Sequence, residues 1–134
     1  MAARNSPPDG AAPVPGQPLE HLRKRQEFLR AARGIRRVTP GLTLEVCANP
    51  DGAAVRVGFT ASRKVGNAVV RNRAKRRLRA AAAQVLALCG LPGTDYVLVA
   101  RQDTARRPFE SLKTDLAQAL RAAHLKLAPR GDVQ

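Results

Sequence analysis

The sequence predicts an α+β sandwich in which helices cover one central sheet, in the order helix, strand, strand, strand, helix, strand, helix. Three observations carry this. Residues 42–48 and 55–62 alternate apolar with small or polar side chains, the period of a strand covered on one face. Residues 95–101 form a short, nearly all-apolar run that suits a buried strand. The stretches beginning at Ala68 and Pro108 instead repeat apolar residues every three or four positions, the period of a helix packed along one side.

Taken in order, residues 19–33 favour a helix, with Leu22, Phe28, Leu29 and Ala32 on a loose apolar face and Gly34 as its stop. Residues 35–39 and 42–48 flank a break at Pro40-Gly41, and in the second of them Leu42, Leu44 and Val46 alternate with Thr43, Glu45 and Cys47. Asn49-Pro50-Asp51-Gly52 is a turn. Beyond it Val55, Val57, Phe59 and Ala61 alternate with Arg56, Gly58, Thr60 and Ser62, so one face is apolar and the other is small and open to a ligand. Asn67 is placed to cap a helix over 68–89, which Gly90 and Pro92 close. After the apolar strand, Pro108 opens a last helix carrying Leu112, Leu116, Leu120, Ala123 and Leu127.

The five prolines within residues 1–18, interleaved with Gly and Ala, predict a disordered arm, and residues 129–134 a loose tail. Residues 19–128 are left as one domain. No stretch of the 134 residues approaches a membrane span, and the N-terminus lacks the apolar core of a secretory signal, so the expected location is the cytoplasm. Cys47 and Cys89 have no metal-binding spacing and read as buried thiols of a reducing compartment.

The chain has 24 Lys plus Arg against 10 Asp plus Glu, a formal charge of +14, at a mean hydropathy of -0.29. Such a balance favours anionic partners, nucleic acid first. Its distribution is uneven. Residues 56–79 hold Arg56, Arg63, Lys64, Arg71, Arg73, Lys75, Arg76, Arg77 and Arg79 and no acidic residue, and a second basic cluster lies between Glu20 and Arg37.

On a helical wheel Val70, Ala74, Leu78, Ala81, Val85 and Leu88 form the packing stripe of the helix from Ala68. Arg71, Asn72, Lys75, Arg76 and Arg79 lie opposite, while Arg73 and Arg77 flank the stripe and reach past it. Like charges three and four residues apart cost about 0.2–0.5 kcal/mol per pair. Cations at a helix N-terminus add to that cost. A polyphosphate backbone relieves both. The entry loop Ser62-Arg63-Lys64-Val65-Gly66-Asn67 adds two cations and a glycine where a backbone can approach a ligand.

Several kinds of chemistry are disfavoured. The acids are scattered singly, without the carboxylate clusters of two-metal phosphodiester cleavage. No phosphate loop ending in Lys-Ser/Thr occurs. His21 and His124 sit in polar segments that read as helical and solvated, so no catalytic and no metal-binding residue is assigned. Phe28, Phe59, Tyr96 and Phe109 are the only aromatics, too few for recognition by base stacking, so phosphate and shape should dominate. From residues alone an RNA-binding protein of ribosomal or general type, a DNA-binding regulator and a nuclease all stay open.

The segment Arg56-Val57-Gly58-Phe59, Ser62-Arg63-Lys64-Val65-Gly66-Asn67-Ala68-Val69, then Arg71-Asn72-Arg73-Ala74-Lys75-Arg76 and Arg79, resembles the protein component of bacterial ribonuclease P. The resemblance extends more loosely to Glu27-Phe28 and to residues 95–101, and spans about 20–127. It implies a left-handed strand-helix-strand crossover, against the usual hand. It also implies an RNA that cleaves the 5′ leader from precursor tRNA, with magnesium held mainly by RNA and substrate and no cofactor held by protein. The protein is then the accessory subunit of an endoribonuclease, with the catalytic RNA and precursor tRNA as partners and no obligate protein partner. Arg63, Lys64, Asn67, Arg71, Asn72, Arg73, Lys75, Arg76 and Arg79 would bind RNA, and Phe28 and Thr60 would line a leader cleft between the first helix and the sheet. Ala32 and an aliphatic residue near Val46 stand where the family often has aromatics.

Overall fold

The period-two segments become strands and the period-3.6 segments become helices. The computed structural model describes residues 19–49, 52 and 54–132, and the proline-rich stretch 1–18 lies outside them. In chain order the elements are β1 (Leu19–His21), α1 (Arg25–Ala32), β2 (Ile35–Val38), β3 (Leu42–Ala48), β4 (Val55–Thr60), α2 (Ala68–Cys89), β5 (Thr94–Ala100) and α3 (Phe109–Asp132), with a 3-10 turn at Arg63–Val65. The strands form one sheet in the order β1-β4-β5-β3-β2. β4 and β5 are parallel neighbours joined through α2, while β3 pairs antiparallel with both β2 and β5.

The first helix is shorter than the sequence predicts. Residues 19–21 pair in parallel with Val55–Val57 and form an edge strand. Three residues are too few to display a period, so only the free edge of β4 reveals them. Helix begins at Arg25 because the Glu27 carboxylate turns back to accept from the backbone N–H groups of Arg23 (3.1 Å) and Lys24 (3.0 Å). On α1 the buried residue is Ala31, whereas Ala32 and Leu29 face solvent.

Register assigns the two faces of the sheet. Leu42, Leu44, Val46, Val55, Val57, Tyr96 and Leu98, all fully buried, meet α2 and α3 in the main core. Val46 therefore points away from α1. α2 contributes Ala74, Leu78, Ala81, Ala82 and Leu86, and α3 contributes Leu112, Leu116, Ala119, Leu120 and Ala123. The buried stripe of α2 turns toward Ala82 and Leu86 in its second half, which leaves Leu88 73% exposed rather than packed. α3 continues through Pro129 to Asp132, into the stretch expected to be loose.

The opposite face carries a smaller cluster of Leu22, Ala31 and Val97, with Phe28, Cys47 and Val99 beside it. Gly58, expected to lie open to a ligand, is covered here. A Cβ on it would stand 2.5 Å from Cε2 of Phe28, so the missing side chain is what lets α1 settle on β4. Cys47 is half-buried, with burial pushing its thiol up, and Cys89 is exposed, so neither is the fully buried thiol expected.

Each histidine departs from expectation in one respect: His21 is exposed as expected but on a strand, and His124 is on a helix as expected but half-buried. His21 lies on β1, its ring 6.3 Å from that of Phe59. His124 is half-buried on α3, with Nε2 2.7 Å from the Tyr96 hydroxyl, which in turn accepts from the Leu91 N–H at 2.9 Å. Burial pushes the Tyr96 phenol up to about 12 and His124 down. The Tyr96 contribution to stability is fully present below about pH 10 and lost as pH rises toward about 12, about 2–3 kcal/mol in all. The His124 contribution has the opposite sign, present above about 6.5 and declining as pH falls. Urea midpoints of wild type and Tyr96→Phe between pH 9 and 12 test this: the wild type should lose stability relative to the variant, and parallel curves would refute the phenol's part.

Candidate nucleic-acid interface

The entry to α2 is built to present backbone and cations together. The 3-10 turn at Arg63–Val65 is pinned by Val65, whose side chain is 9% exposed, and by its N–H bonding Ser62 O at 3.0 Å. Gly66 follows at φ 151°, and a Cβ there would press on Val70 at 3.0 Å. Asn67 then caps α2, its Oδ1 accepting from Val70 N at 3.0 Å. That bond gives Asn67 a structural task within the predicted RNA-binding set. Arg63 and Lys64 project from the turn, both exposed.

Along α2, Asn72, Arg73, Arg76 and Arg79 are exposed and Arg71 and Lys75 are half-buried. Among the described residues none of Arg63, Lys64, Arg71, Arg73, Lys75, Arg76 and Arg79 forms a salt bridge. The Arg79 guanidinium sits 5.4 Å over the Phe59 ring, which orients it without neutralising it. Apart from that ring contact, the charge of these seven residues is unmatched among the described residues.

Two members of the basic cluster serve other ends. Arg77, expected to reach past the packing stripe into solvent, donates instead to the carbonyls of Thr104 (2.6 Å) and Arg107. Arg56 lies on the α1 side of the sheet. Its Nε and Nη2 each donate to the fully buried carboxylate of Asp95 at 2.8 Å, and Nη1 donates to Glu27 at 2.8 Å. Arg30 adds a bond to Asp95 at 3.1 Å. The carboxylates raise the affinity of Arg56 for its proton still further, and backbone donors at Lys24 and Arg23, with Arg56, hold the Glu27 carboxyl below its usual range. This network ties α1 to β4 and β5.

Beyond the end of α1 the sheet face opens. Thr60, Val99 and Thr43 lie side by side across β4, β5 and β3. Val99 and Thr43 line a cleft of about 520 Å³ together with Arg36, Lys64, Arg101 and Gln102. Thr60 is half-buried at its neighbouring register position, and Phe28 is half-buried against Gly58, so both flank the cleft without lining it. Glu45, half-buried on the same face, has its carboxyl pushed up by burial, with Arg36 acting against that.

Sequence reasoning missed Arg36, Gln102 and Arg106 on this surface. Arg36 arrives through the pairing of β2 with β3, and the other two through the loop after β5. That loop is fixed by Arg77 and by Thr104, which is fully buried and donates to Gly41 O at 2.6 Å. No periodicity encodes either placement. Among the described residues no group of three or more His, Cys, Asp or Glu could hold a metal ion, and no helix is long and apolar enough to cross a membrane.

A five-stranded α+β domain whose crossover helix and entry turn carry seven cations without a salt bridge among the described residues, with an open cleft on its sheet face, makes this a strongly basic α+β protein. The family model described as Ribonuclease P matches residues 17–124. The ribonuclease P protein component of Ruegeria pomeroyi is 55% identical over 106 residues, covering 77% of this chain and 85% of that protein. That of Paramagnetospirillum magneticum is 45% identical over 108 residues, covering 77% and 81%. Solved ribonuclease P proteins superpose as well. The Staphylococcus aureus protein gives a TM-score of 0.65 at 27% identity over 77% of this chain and 94% of that one. The Thermotoga maritima protein gives 0.64 at 25% identity over 77% and 96%. The chain belongs to the ribonuclease P protein component family, and hence to tRNA 5′ processing.

Proposed function

We propose that this chain is the protein subunit that binds the catalytic RNA of ribonuclease P through α2 and the Arg63–Lys64 turn, and that holds the 5′ leader of precursor tRNA in the cleft beyond α1. The observation that carries this is the position of Lys64, which lines the cleft and lies in the turn that leads into α2, whose Arg71, Arg73, Lys75, Arg76 and Arg79 form no salt bridge among the described residues. A structured RNA on α2 and a single strand on the sheet face then share one continuous positive surface. With aliphatic and hydroxyl side chains at Val99 and Thr43, and Thr60 at the next register position beside them, the cleft suits contact with sugar and phosphate rather than base stacking.

Magnesium, held mainly by the RNA and the substrate, supplies the hydrolytic chemistry, and the protein supplies fixed positive charge that lowers the magnesium the assembly needs. The site of action is the cytoplasm. Reconstitution tests the reading: precursor tRNA and the catalytic RNA are incubated across a magnesium titration, with and without the full-length protein. Leader removal should be strongly stimulated at low magnesium and progressively less as magnesium rises. Identical rates with and without protein at low magnesium would defeat it.

A further inference from the structure

A second recess opens between the start of α2 and the loop after β5, adjoining the sheet-face cleft and sharing Lys64, Val65 and Gln102 with it, while Val70, Arg73, Ala105 and Arg106 line the recess alone. We propose that this recess takes one unstacked nucleotide of the RNA partner, its phosphate on Arg73 and Lys64 and its base on an apolar floor, with Gln102 addressing the base edge. This rests on the RNA-binding reading above and specifies a pocket within it.

The recess measures about 390 Å³, within the roughly 300–1,000 Å³ of small-ligand pockets. Its floor is Val65 and Ala105, 9% and 6% exposed, with the half-buried Val70. A groove that only tracked phosphate would have no use for such a floor, whereas the flat apolar face of a base would. The rim is cationic. Lys64 and Arg73 have no salt bridge among the described residues, and Arg106 is held only by the exposed Asp103 at 3.3 Å, a weak pairing in solvent. No carboxylate lines the recess.

Gln102 supplies the neutral polar group. Its Nε2 leans on Lys64 O at 3.4 Å, and its Oε1 has no partner among the described residues, so the amide retains capacity to accept from a base amino group. The wall is fixed beforehand, since Arg77 and Thr104 hold residues 101–107 through the carbonyls of Thr104, Arg107 and Gly41. A preformed pocket imposes little ordering cost on its ligand.

The test measures binding of the full-length protein to two RNAs, the catalytic RNA alone and precursor tRNA alone, across a salt titration. Gln102→Leu removes the amide at an exposed position without changing charge, and Val70→Trp fills the recess, with circular dichroism reporting whether it folds. Gln102→Leu should weaken binding about tenfold to at least one RNA with the salt slope unchanged, because it touches no phosphate contact, and Val70→Trp, which excludes the whole nucleotide, should weaken binding to the same RNA at least as far. Loss confined to the catalytic RNA assigns the nucleotide to that subunit, and loss confined to precursor tRNA assigns it to the substrate. Wild-type affinity of Gln102→Leu for both RNAs would overturn the pocket, as would a loss in that variant that comes with a shallower salt slope. Failure of the wild-type protein to bind either RNA would instead overturn the RNA-binding reading itself.

Discussion

Replacing Asp95 by Ala is expected to lower the free energy of unfolding by about 3–5 kcal/mol, the usual consequence of removing one member of a buried ion pair. The Asp95 side chain is 0% exposed and accepts from Arg56 twice at 2.8 Å and from Arg30 at 3.1 Å. Its loss leaves the Arg56 guanidinium, itself 20% exposed, with Glu27 as its one carboxylate partner. Domains of this size are stable by about 5–15 kcal/mol, so the variant should sit near the edge of folding. Arg30→Ala is the matched control. Its side chain is 51% exposed, and the loss should stay below about 1 kcal/mol. Urea denaturation of the three proteins at neutral pH measures both, and an Asp95→Ala loss no larger than that of Arg30→Ala would contradict the account.

Reversing charge at Arg73 and Arg76 should weaken binding to the catalytic RNA by roughly 10²-fold or more, since each charge-assisted phosphate contact is worth about 1.5–3 kcal/mol. Both side chains are exposed and without a salt bridge among the described residues, so their removal should leave unfolding within about 0.5 kcal/mol of wild type. The slope of log affinity against log salt should fall by about two, close to one for each phosphate released. Binding with an unchanged slope would mean that α2 does not face the phosphate backbone. Arg77→Ala offers a contrast. It should lower stability by unpairing the buried Thr104 carbonyl, and its effect on the salt slope should be small.

Much of the fold was legible because its signals are local. The Asn67 cap, the alternation of β3 and β4 and the first half of the α2 stripe, through Ala74, Leu78 and Ala81, each lie within a dozen residues and form as expected, whereas the stripe's second half turns to Ala82 and Leu86. β1 was hidden because three residues show no period and its partner β4 is distant in sequence. The cationic surface was legible for the same reason as the helix: Arg71, Asn72, Arg73, Lys75, Arg76 and Arg79 are carried by one element whose buried side is plain. Arg56 looked like part of that surface because its partner, Asp95, is 39 positions away. Arg77 was misread similarly, since its acceptors are carbonyls of a loop whose path no side-chain pattern encodes. The cleft residues Arg36 and Gln102 meet only through strand register and the β5–α3 loop.

Arg56 and Arg77 divide the arginines of this domain into two populations that respond differently to the solvent. Ions screen charges that stand in water far more than those enclosed by protein, so added salt weakens the hold of Arg73 and Arg76 on a polyanion while leaving the Arg56–Asp95 clasp almost untouched. Ionic strength therefore acts on attachment and not on architecture. On the proposed reading, salt should release a bound polyanion at concentrations that leave the fold intact, and dilution should restore binding.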